Sequence, residues 1–346
     1  MKFFHPLLAV GATILAMTGC ASSVNQSAFT TFQSSISSTK TTSESMTTTF
    51  VANAGTIHIE ALAASDVAQD ECVVLTPSAG DVTVSDEDTS EAAFQALLDG
   101  VVRYNNTMLK YAQLLNQLAD PTIVGTATLD SNATTMASDS AKVLSDLQST
   151  LHLKSVTDAQ KVTGIVSSAF TEVIEIYLAD KQASALAQAI KNNQGNVEQY
   201  SKVGQELVDL CLTQIPQKYA MDHDAVIAAF VNVVNARVKP NKPIDPIDYK
   251  GAWASATVSE RVSYLQSEYS LESNVRAQIQ TLNSLYKVYG ALPKAHSDLA
   301  NSIKSPKADL TGLNELYSEA QHLVQLYNSS QKAASTPSSA TTATKT

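Results

Sequence analysis

The sequence predicts an all-α fold, an extended bundle of long antiparallel helices, and three observations support this class. Glycine is scarce, at 12 of 346 residues, whereas 44% of the residues are hydrophobic, which is enough to bury one or two sizeable cores. Apolar residues recur at alternating steps of three and four over most of the chain. Strand-like sequence is confined to residues 71–86, which indicate one small β-hairpin near residues 72–85 that would have to lean on the helices.

Helical periodicity is clearest in the first half of the chain. A heptad seam predicts a helix over about residues 90–119, which ends before Pro121. Shorter amphipathic patterns predict helices over about residues 132–151 and 156–192, and Gly195 marks the end of the second of these.

Prolines divide the next part of the chain. A helix over about residues 195–212 is expected to break or kink at Pro216, because proline removes a backbone donor and clashes with the preceding turn. Residues 224–238 are apolar almost all round but too short to span a membrane, so we interpret them as a buried core helix. Residues 240–255 are proline-rich and are expected to form a crossover loop or a domain boundary.

Beyond this loop, four apolar residues begin a long helix at the spacing of a seam, namely Val258, Val262, Leu265 and Tyr269. Its pattern continues to Tyr289 and is interrupted at Pro293, and a last helix begins near Asp309. We therefore expect residues 71–239 to form the first part of the bundle and residues 256–330 the second.

The two ends of the mature chain are less regular. Residues 20–70 are rich in serine and threonine, which are poor helix formers, so a flexible tether is one interpretation. Their apolar residues nevertheless share one heptad frame, which favours a weak helix docked on the bundle: Phe29, Phe32, Ile36, Met46, Phe50 and Ile57. Residues 331–346 have almost nothing to bury and are predicted to be disordered.

The N-terminal residues have the pattern of a secretory signal peptide. Lys2 precedes an uncharged run whose apolar part is shorter than the roughly 20 residues that a membrane span needs. The run ends at Met17-Thr18-Gly19-Cys20, which resembles the lipobox of bacterial lipoproteins. The alternative is an ordinary signal peptide, cut nearby, that leaves Cys20 as a free thiol.

The lipobox resemblance implies a lipid anchor on Cys20. Residues 1–19 would be removed, the sulfur would carry a diacylglyceryl group, and the new amino terminus would be acylated with a fatty acid such as palmitate. Because Ala21 and Ser22 follow, rather than an aspartate, the resemblance implies the periplasmic face of the outer membrane. Two or three acyl chains hold a protein permanently, whereas a single chain binds reversibly.

Removing Cys20 from the cysteine count leaves Cys72 and Cys211 as a candidate disulfide, since an exported protein lies in an oxidising compartment. The alternative is two buried thiols that pack as small hydrophobic groups. No Cys-x-x-Cys sequence is present, which gives no support to thioredoxin-like or zinc-ribbon chemistry.

The charge balance limits the classes of partner. The formal net charge is -10, and loss of Lys2 with the signal peptide makes it one unit more negative. This argues against nucleic acid and against an anionic lipid surface as partners.

Motifs that carry chemistry are few. No phosphate loop, dinucleotide fingerprint, zinc-protease motif or nucleophile elbow is present, so we predict neither a cofactor nor an enzyme. Glu319 and His322 form a single E-x-x-H unit, which is a weak metal candidate, because di-iron bundles use two such units. Residues 222–224, Asp-His-Asp, are interpreted as an acidic helix start, and the acidic residues from Asp81 to Glu91 as a helix entrance rather than a calcium site.

Aromatic residues on the helical seams allow two interpretations. Tyrosines there are expected to be core residues, although a tyrosine-lined groove for a ligand or peptide would show the same pattern: Tyr104, Tyr111, Tyr200, Tyr269, Tyr286 and Tyr289. Trp253, the single tryptophan, is interpreted as a packing anchor at the end of the proline-rich loop.

The function that the sequence favours is non-enzymatic. We expect an envelope lipoprotein whose periplasmic helical domain binds another protein, as an adaptor, assembly factor or structural spacer. A periplasmic inhibitor or immunity protein that blocks an incoming effector is a second hypothesis, and a ligand- or metal-binding bundle is a third.

Overall fold

The computed structural model describes residues 24–63, 88–120, 183–238, 249–305 and 307–335, and these residues form seven α-helices. In chain order the helices are α1 (Gln26–Ala63), α2 (Asp88–Ala119), α3 (Ala183–Asn192), α4 (Gln194–Arg237), α5 (Tyr249–Ser255), α6 (Val258–Lys304) and α7 (Thr311–Ser335). They pack against one another and the described residues include no strand, so the prediction of an all-α bundle is confirmed.

Several sequence predictions lie outside the described residues. They are the signal peptide with Cys20, the hairpin near residues 72–85 with Cys72, the helix over residues 132–151, residues 156–182 of the next predicted helix, and residues 240–248 of the proline-rich loop. The rest of that predicted loop is wrong, because residues 249–255 form the helix α5.

The serine- and threonine-rich segment forms α1, the helical alternative of the two interpretations. Its hydroxyls donate to backbone carbonyls four residues earlier, as Thr39 Oγ1 does to Ser35 at 2.8 Å and Ser43 Oγ to Thr39 at 2.9 Å. These bonds satisfy the hydroxyls within the helix, so the side chains can be buried without a polar penalty. The shared heptad frame then places Phe29 and Phe32 in the core, both at most 1% exposed.

The predicted break at Pro216 and the predicted interruption at Pro293 are wrong, because both prolines lie inside continuous helices, α4 and α6. The alternative at Pro216, a kink, stays a prediction. Proline at position 293 removes the N–H that would bond the carbonyl of Tyr289, four residues earlier. Ser201 Oγ, from α4, donates to that carbonyl at 2.6 Å instead. A tertiary hydrogen bond thus replaces the missing helical one, and local sequence reasoning has no access to it.

The C-terminal boundary also differs from the prediction. Residues 331–335, expected to belong to a disordered tail, are the last turn of α7. Gln331 Nε2 donates to Thr49 Oγ1 of α1 at 2.9 Å, which secures this turn against the bundle.

A layer of buried tyrosines joins α1, α2, α4 and α6. Tyr104 and Tyr200 stack with ring centroids 3.9 Å apart, and each hydroxyl donates to the other residue's backbone carbonyl. Tyr289 Oη donates to Asn105 Oδ1 at 2.8 Å, and Asn105 Nδ2 donates to Ser43 Oγ at 2.9 Å. Because every one of these polar groups is buried and paired, the layer fixes the relative positions of the four helices.

Helix α4 pairs antiparallel with α6 along its whole length. Gln194 Nε2 donates to the carbonyl of Pro293 at 2.9 Å near one end, and Arg237 Nε donates to Glu260 Oε1 at 2.9 Å near the other. With 44 residues at about 1.5 Å each, α4 is about 66 Å long. The hydrophobic core that α1, α2 and α7 share ends on α4 at Ile215.

Beyond this bundle the chain forms an arm, which comprises α4 from Pro216 onward, α5, and α6 up to Val275. The arm has its own core, built only from residues of this hairpin: Val226, Phe230, Val231, Val234, Ala252, Ala256, Tyr264 and Leu271. Residues 224–238, expected to be a separate buried helix, are the second half of α4 and form one side of the arm.

Gly204 is the close-contact point between α4 and α6, and it generates a stability prediction. A Cβ at Gly204 would lie 2.7 Å from Cδ1 of the buried Tyr289 ring, whereas a Cβ at Gly195 meets nothing within 4 Å. We expect Gly204→Ala to lower the free energy of unfolding by about 1–3 kcal/mol, because the ring has no free space to enter. The matched variant Gly195→Ala is expected to be neutral or to stabilise by up to about 1 kcal/mol, because alanine favours helix.

Urea unfolding of the two variants beside the unchanged chain measures both effects. Equal stabilities of Gly204→Ala and Gly195→Ala would contradict the close α4–α6 contact.

Candidate protein-binding surface

The arm core is an aromatic cluster that sets the spacing of α4 and α6. Phe230 lies 4.7 Å from Tyr264, measured between ring centroids, and 6.0 Å from Trp253. Tyr249 of α5 lies 5.2 Å from Tyr264, so α5 closes the end of the hairpin. Trp253 is therefore a packing anchor, as its position in the sequence suggested.

Charged and capping interactions secure the start of α6 beside the tip of the arm. Thr257 Oγ1 accepts from the backbone N–H of Glu260 at 3.2 Å, and Glu260 Oε2 accepts from the N–H of Thr257 at 2.6 Å, which forms a capping box. Thr257 Oγ1 also donates to Glu260 Oε2, at 2.9 Å. The guanidinium of Arg237 and the N–H and hydroxyl of Thr257 together lower the pKa of Glu260 to about 2. Arg261 Nε donates to the carbonyl of Trp253 at 3.0 Å, and its guanidinium lies 5.2 Å from the centre of the indole.

An open groove of about 310 Å³ runs between α4 and α6 on one side of the arm. Its walls carry small residues spaced by four, Ala225 and Ala229 on α4 and Ser259, Ser263 and Ser267 on α6. Residues at this spacing share one helix face, so the walls are low along the groove. The aromatic rings of Phe230 and Tyr264 also line it. Low walls, with an apolar side on α4 and serine hydroxyls on α6, fit a helix or an extended peptide laid along the arm.

A second surface, which we name the stripe, lies on a different face of α6 and consists of Val258, Val262, Leu265 and Tyr269. Their exposed fractions are 75%, 46%, 53% and 76%. Among the described residues seven large apolar side chains are exposed, and five of these lie on the arm. Single exposed apolar residues are ordinary, but a contiguous row indicates a surface that another molecule covers.

The stripe contains a wrong prediction. Its residues predict a helical seam correctly, but Tyr269 is exposed rather than a core residue, and the buried seam of this half of α6 contains Tyr264 and Leu271. The sequence does contain a sign of this exposed surface. This half of α6 carries two rows of apolar residues on different faces, whereas a helix that packs on a single neighbour needs only one such row.

The arm projects away from the start of the described chain. Gln26 Nε2 of α1 donates to Asn116 Oδ1 of α2 at 2.9 Å. Along α2, Asn116 lies about one turn further from the arm than Tyr111, which contacts His296. His296 in turn contacts Gln194, the first residue of α4. The N-terminal end of α1 and the tip of the arm therefore lie at opposite ends of the molecule.

His296 lies in the bundle core and joins α6 to α2 and α4 through hydrogen bonds. Tyr111 Oη lies 2.7 Å from His296 Nε2, and His296 Nδ1 lies 3.0 Å from Gln194 Oε1. Because Gln194 Nε2 donates to Pro293, its oxygen must accept, so Nδ1 carries the proton of a neutral imidazole and Nε2 accepts from Tyr111. Complete burial lowers the pKa of His296 to about 3, since the charged form would lose its hydration.

The six seam tyrosines separate into three groups. Tyr104, Tyr111, Tyr200 and Tyr289 are core residues, and burial raises the pKa of each hydroxyl above its ordinary value. Tyr286 is partly buried and packs against the bundle core, and Tyr269 is exposed on the stripe. The four buried tyrosines do not line an open groove, which was the alternative interpretation of this pattern.

The weak metal candidates do not converge in the structure. Glu319 is partly buried and His322 is exposed on α7, and the described residues contain no group of three or more His, Cys, Asp or Glu side chains that could hold a metal ion. Asp222 and His223 lie in the middle of α4 rather than at a helix start, because α4 continues through Pro216. Asp222 Oδ2 instead accepts from Lys218 Nζ at 2.6 Å, and His223 Nε2 lies 3.6 Å from Glu268 Oε2.

Cys211 is a free thiol in the structure, fully buried in the bundle core, and not half of the predicted disulfide. Burial raises the pKa of the thiol to about 12, so it packs as a small hydrophobic group, which was the alternative interpretation. Its expected partner, Cys72, lies outside the described residues.

Comparisons with protein-family models, with curated proteins and with solved structures find no match to this chain. In the part of the chain that the structure describes, none of the helices combines the length and the apolar character that crossing a membrane requires.

The buried His296 predicts a specific pH dependence of stability. Its pKa is lower in the folded state, about 3, than in the unfolded chain, about 6.5. Between these values the unfolded chain binds a proton that the folded chain does not, so the free energy of unfolding falls as the pH falls. The slope approaches about 1.4 kcal/mol per pH unit.

His296→Gln keeps one donor and one acceptor but does not titrate, so we expect a shallower slope between about pH 6 and 4. His322→Gln, the same substitution at an exposed histidine, is the matched control. Urea unfolding across the pH range measures all three proteins. Identical slopes for His296→Gln and the unchanged chain would contradict the buried neutral imidazole.

Proposed function

We propose that this chain is an envelope lipoprotein, anchored through Cys20 to the periplasmic face of the outer membrane, that binds another protein with its arm. It acts non-enzymatically, as an adaptor or structural spacer. The observation that carries the proposal is the arm itself, a projection of α4, α5 and α6 with its own core, whose groove and stripe are left open by the other described helices.

The anchor is supported by the sequence and is compatible with the geometry. Cys20 lies four positions before Val24, where the described chain begins next to α1. The tip of the arm lies at the opposite end of α4, which is about 66 Å long. A lipid on Cys20 would therefore hold the bundle near the membrane and present the arm to the periplasm.

The groove between α4 and α6 is the surface that we propose for the partner protein. Helix-in-groove recognition uses an apolar groove whose walls permit close approach, and Ala229 and Ser263 provide such walls on opposite helices. Glu260 at the groove is already paired with Arg237, so the partner does not have to neutralise a buried charge there.

The anchor is tested by mass spectrometry of the mature protein isolated from cells. We expect a chain that starts at Cys20 and carries a diacylglyceryl group on sulfur and a fatty acid on the amino terminus. Cys20→Ala should abolish both modifications and release the protein from the membrane fraction. An unmodified Cys20, or cleavage at another residue, would contradict the anchor.

Partner binding is tested in cells with a photoreactive phenylalanine analogue at Ser263, in the groove. We expect one other envelope protein to be cross-linked there reproducibly, and Ala229→Arg to abolish the adduct because the long side chain fills the groove. The same analogue at Asn314, exposed on α7, is the matched control. Absence of an adduct at Ser263, or the same adducts at both positions, would contradict the proposed use of the groove.

A further inference from the structure

The stripe has the residue spacing of a helix pairing surface. Val258, Val262, Leu265 and Tyr269 follow one another at steps of four, three and four, which are the steps of a coiled-coil seam. All four are exposed, and two of them, Val258 and Tyr269, are about three-quarters exposed. Glu272 and Arg276 end the row and pair with each other at 3.1 Å.

We propose that the stripe binds the stripe of a second copy of this chain, with the two α6 helices antiparallel about a twofold axis between Ser263 and Tyr264. In this register Val262 of one copy lies opposite Leu265 of the other, and Val258 lies opposite Tyr269. Each layer pairs two apolar side chains, and the short row is self-complementary, as a twofold interface requires.

The charges beside the stripe select the antiparallel arrangement. Arg261 and Glu268, both partly exposed, flank the stripe on the side of α4, where Arg261 also contacts Trp253 and Glu268 lies 3.6 Å from His223. Antiparallel pairing places Arg261 of each copy near Glu268 of the other along this edge, which gives two attractive contacts. Parallel pairing would place Arg261 beside Gln266 and Glu268 beside Ser273, which gives none.

The size of the stripe indicates a weak dimer. It extends over about three helical turns, roughly 17 Å. The area that four side chains bury along this length is smaller than the roughly 800 Å² per partner of a standard stable interface. Association through the stripe is independent of the lipid anchor and of the groove, so it can fail or hold separately from the proposed function.

Disulfide cross-linking between copies tests the pairing and its direction. Two full-length variants, Val258→Cys and Tyr269→Cys, are prepared in a Cys72→Ser background and oxidised separately and as a mixture. In the antiparallel dimer a cysteine at position 258 lies next to a cysteine at position 269. The two cysteines at position 258 are about 17 Å apart, beyond the Cα separation of about 4.4–6.8 Å that a disulfide allows.

We expect a product of doubled mass in the mixture, with a 258–269 linkage identified by peptide mass spectrometry. Neither variant should form this product when it is oxidised separately. Leu265→Glu, added to both variants, should abolish the product, whereas Tyr317→Glu, at an exposed apolar residue on α7, should leave it unchanged. Thermal unfolding monitored by circular dichroism verifies that every variant is folded.

Three results would overturn the proposal. Cross-links within each single variant would indicate a parallel pair. No cross-link, with both cysteines reactive toward a maleimide, would show a stripe that no second copy covers. No cross-link, with both cysteines protected in the monomer, would show that another segment of the same chain covers the stripe.

Discussion

The contact between α4 and α6 is the constraint on which the rest of the structure depends. It extends from Gln194 to Arg237 without a break, although each helix contains a proline. Two details make this possible. Ser201 supplies the hydrogen bond that Pro293 removes, and Gly204 lets the Tyr289 ring lie directly on α4. Because both helices remain continuous, they extend beyond the shared bundle core and form an arm with a core of its own.

The distribution of polar and apolar groups separates the bundle from the arm. Buried polar groups of the bundle are joined in specific networks, such as Tyr111 with His296 and Gln194, which define one arrangement of the helices. The arm instead leaves apolar side chains in solvent, which costs free energy in an isolated molecule. A bundle built for rigidity and an arm built with open surfaces are consistent with a protein that positions a binding element. The groove is the face proposed for a partner protein, and the stripe is the face proposed for a second copy of the chain.

Periodicity predicted helical structure for every described helix except α5, because the spacing of apolar residues is a local property of the sequence. It could not predict that α6 continues through Pro293, since the donor that replaces the lost hydrogen bond lies at Ser201, 92 positions earlier in the chain. The stripe was misjudged because a seam predicts a helix but does not say what covers it. Tyr264 and Val262 carry similar local signals, and only the position of α4 determines that the first is buried and the second exposed.

The central claim, that the arm extends away from the bundle, is tested most directly by a distance between two spin labels. Asn314 lies at the start of α7, where Lys294 Nζ of α6 and Glu315 Oε2 are 3.6 Å apart, and Ala254 is exposed on α5 at the tip of the arm. The α6 residues between Val258 and Lys294 span about 54 Å. Pulsed electron paramagnetic resonance on the doubly labelled full chain should give one narrow distribution near this distance or slightly above it. A distribution centred at about half this distance would show an arm folded back on the bundle and would contradict the account.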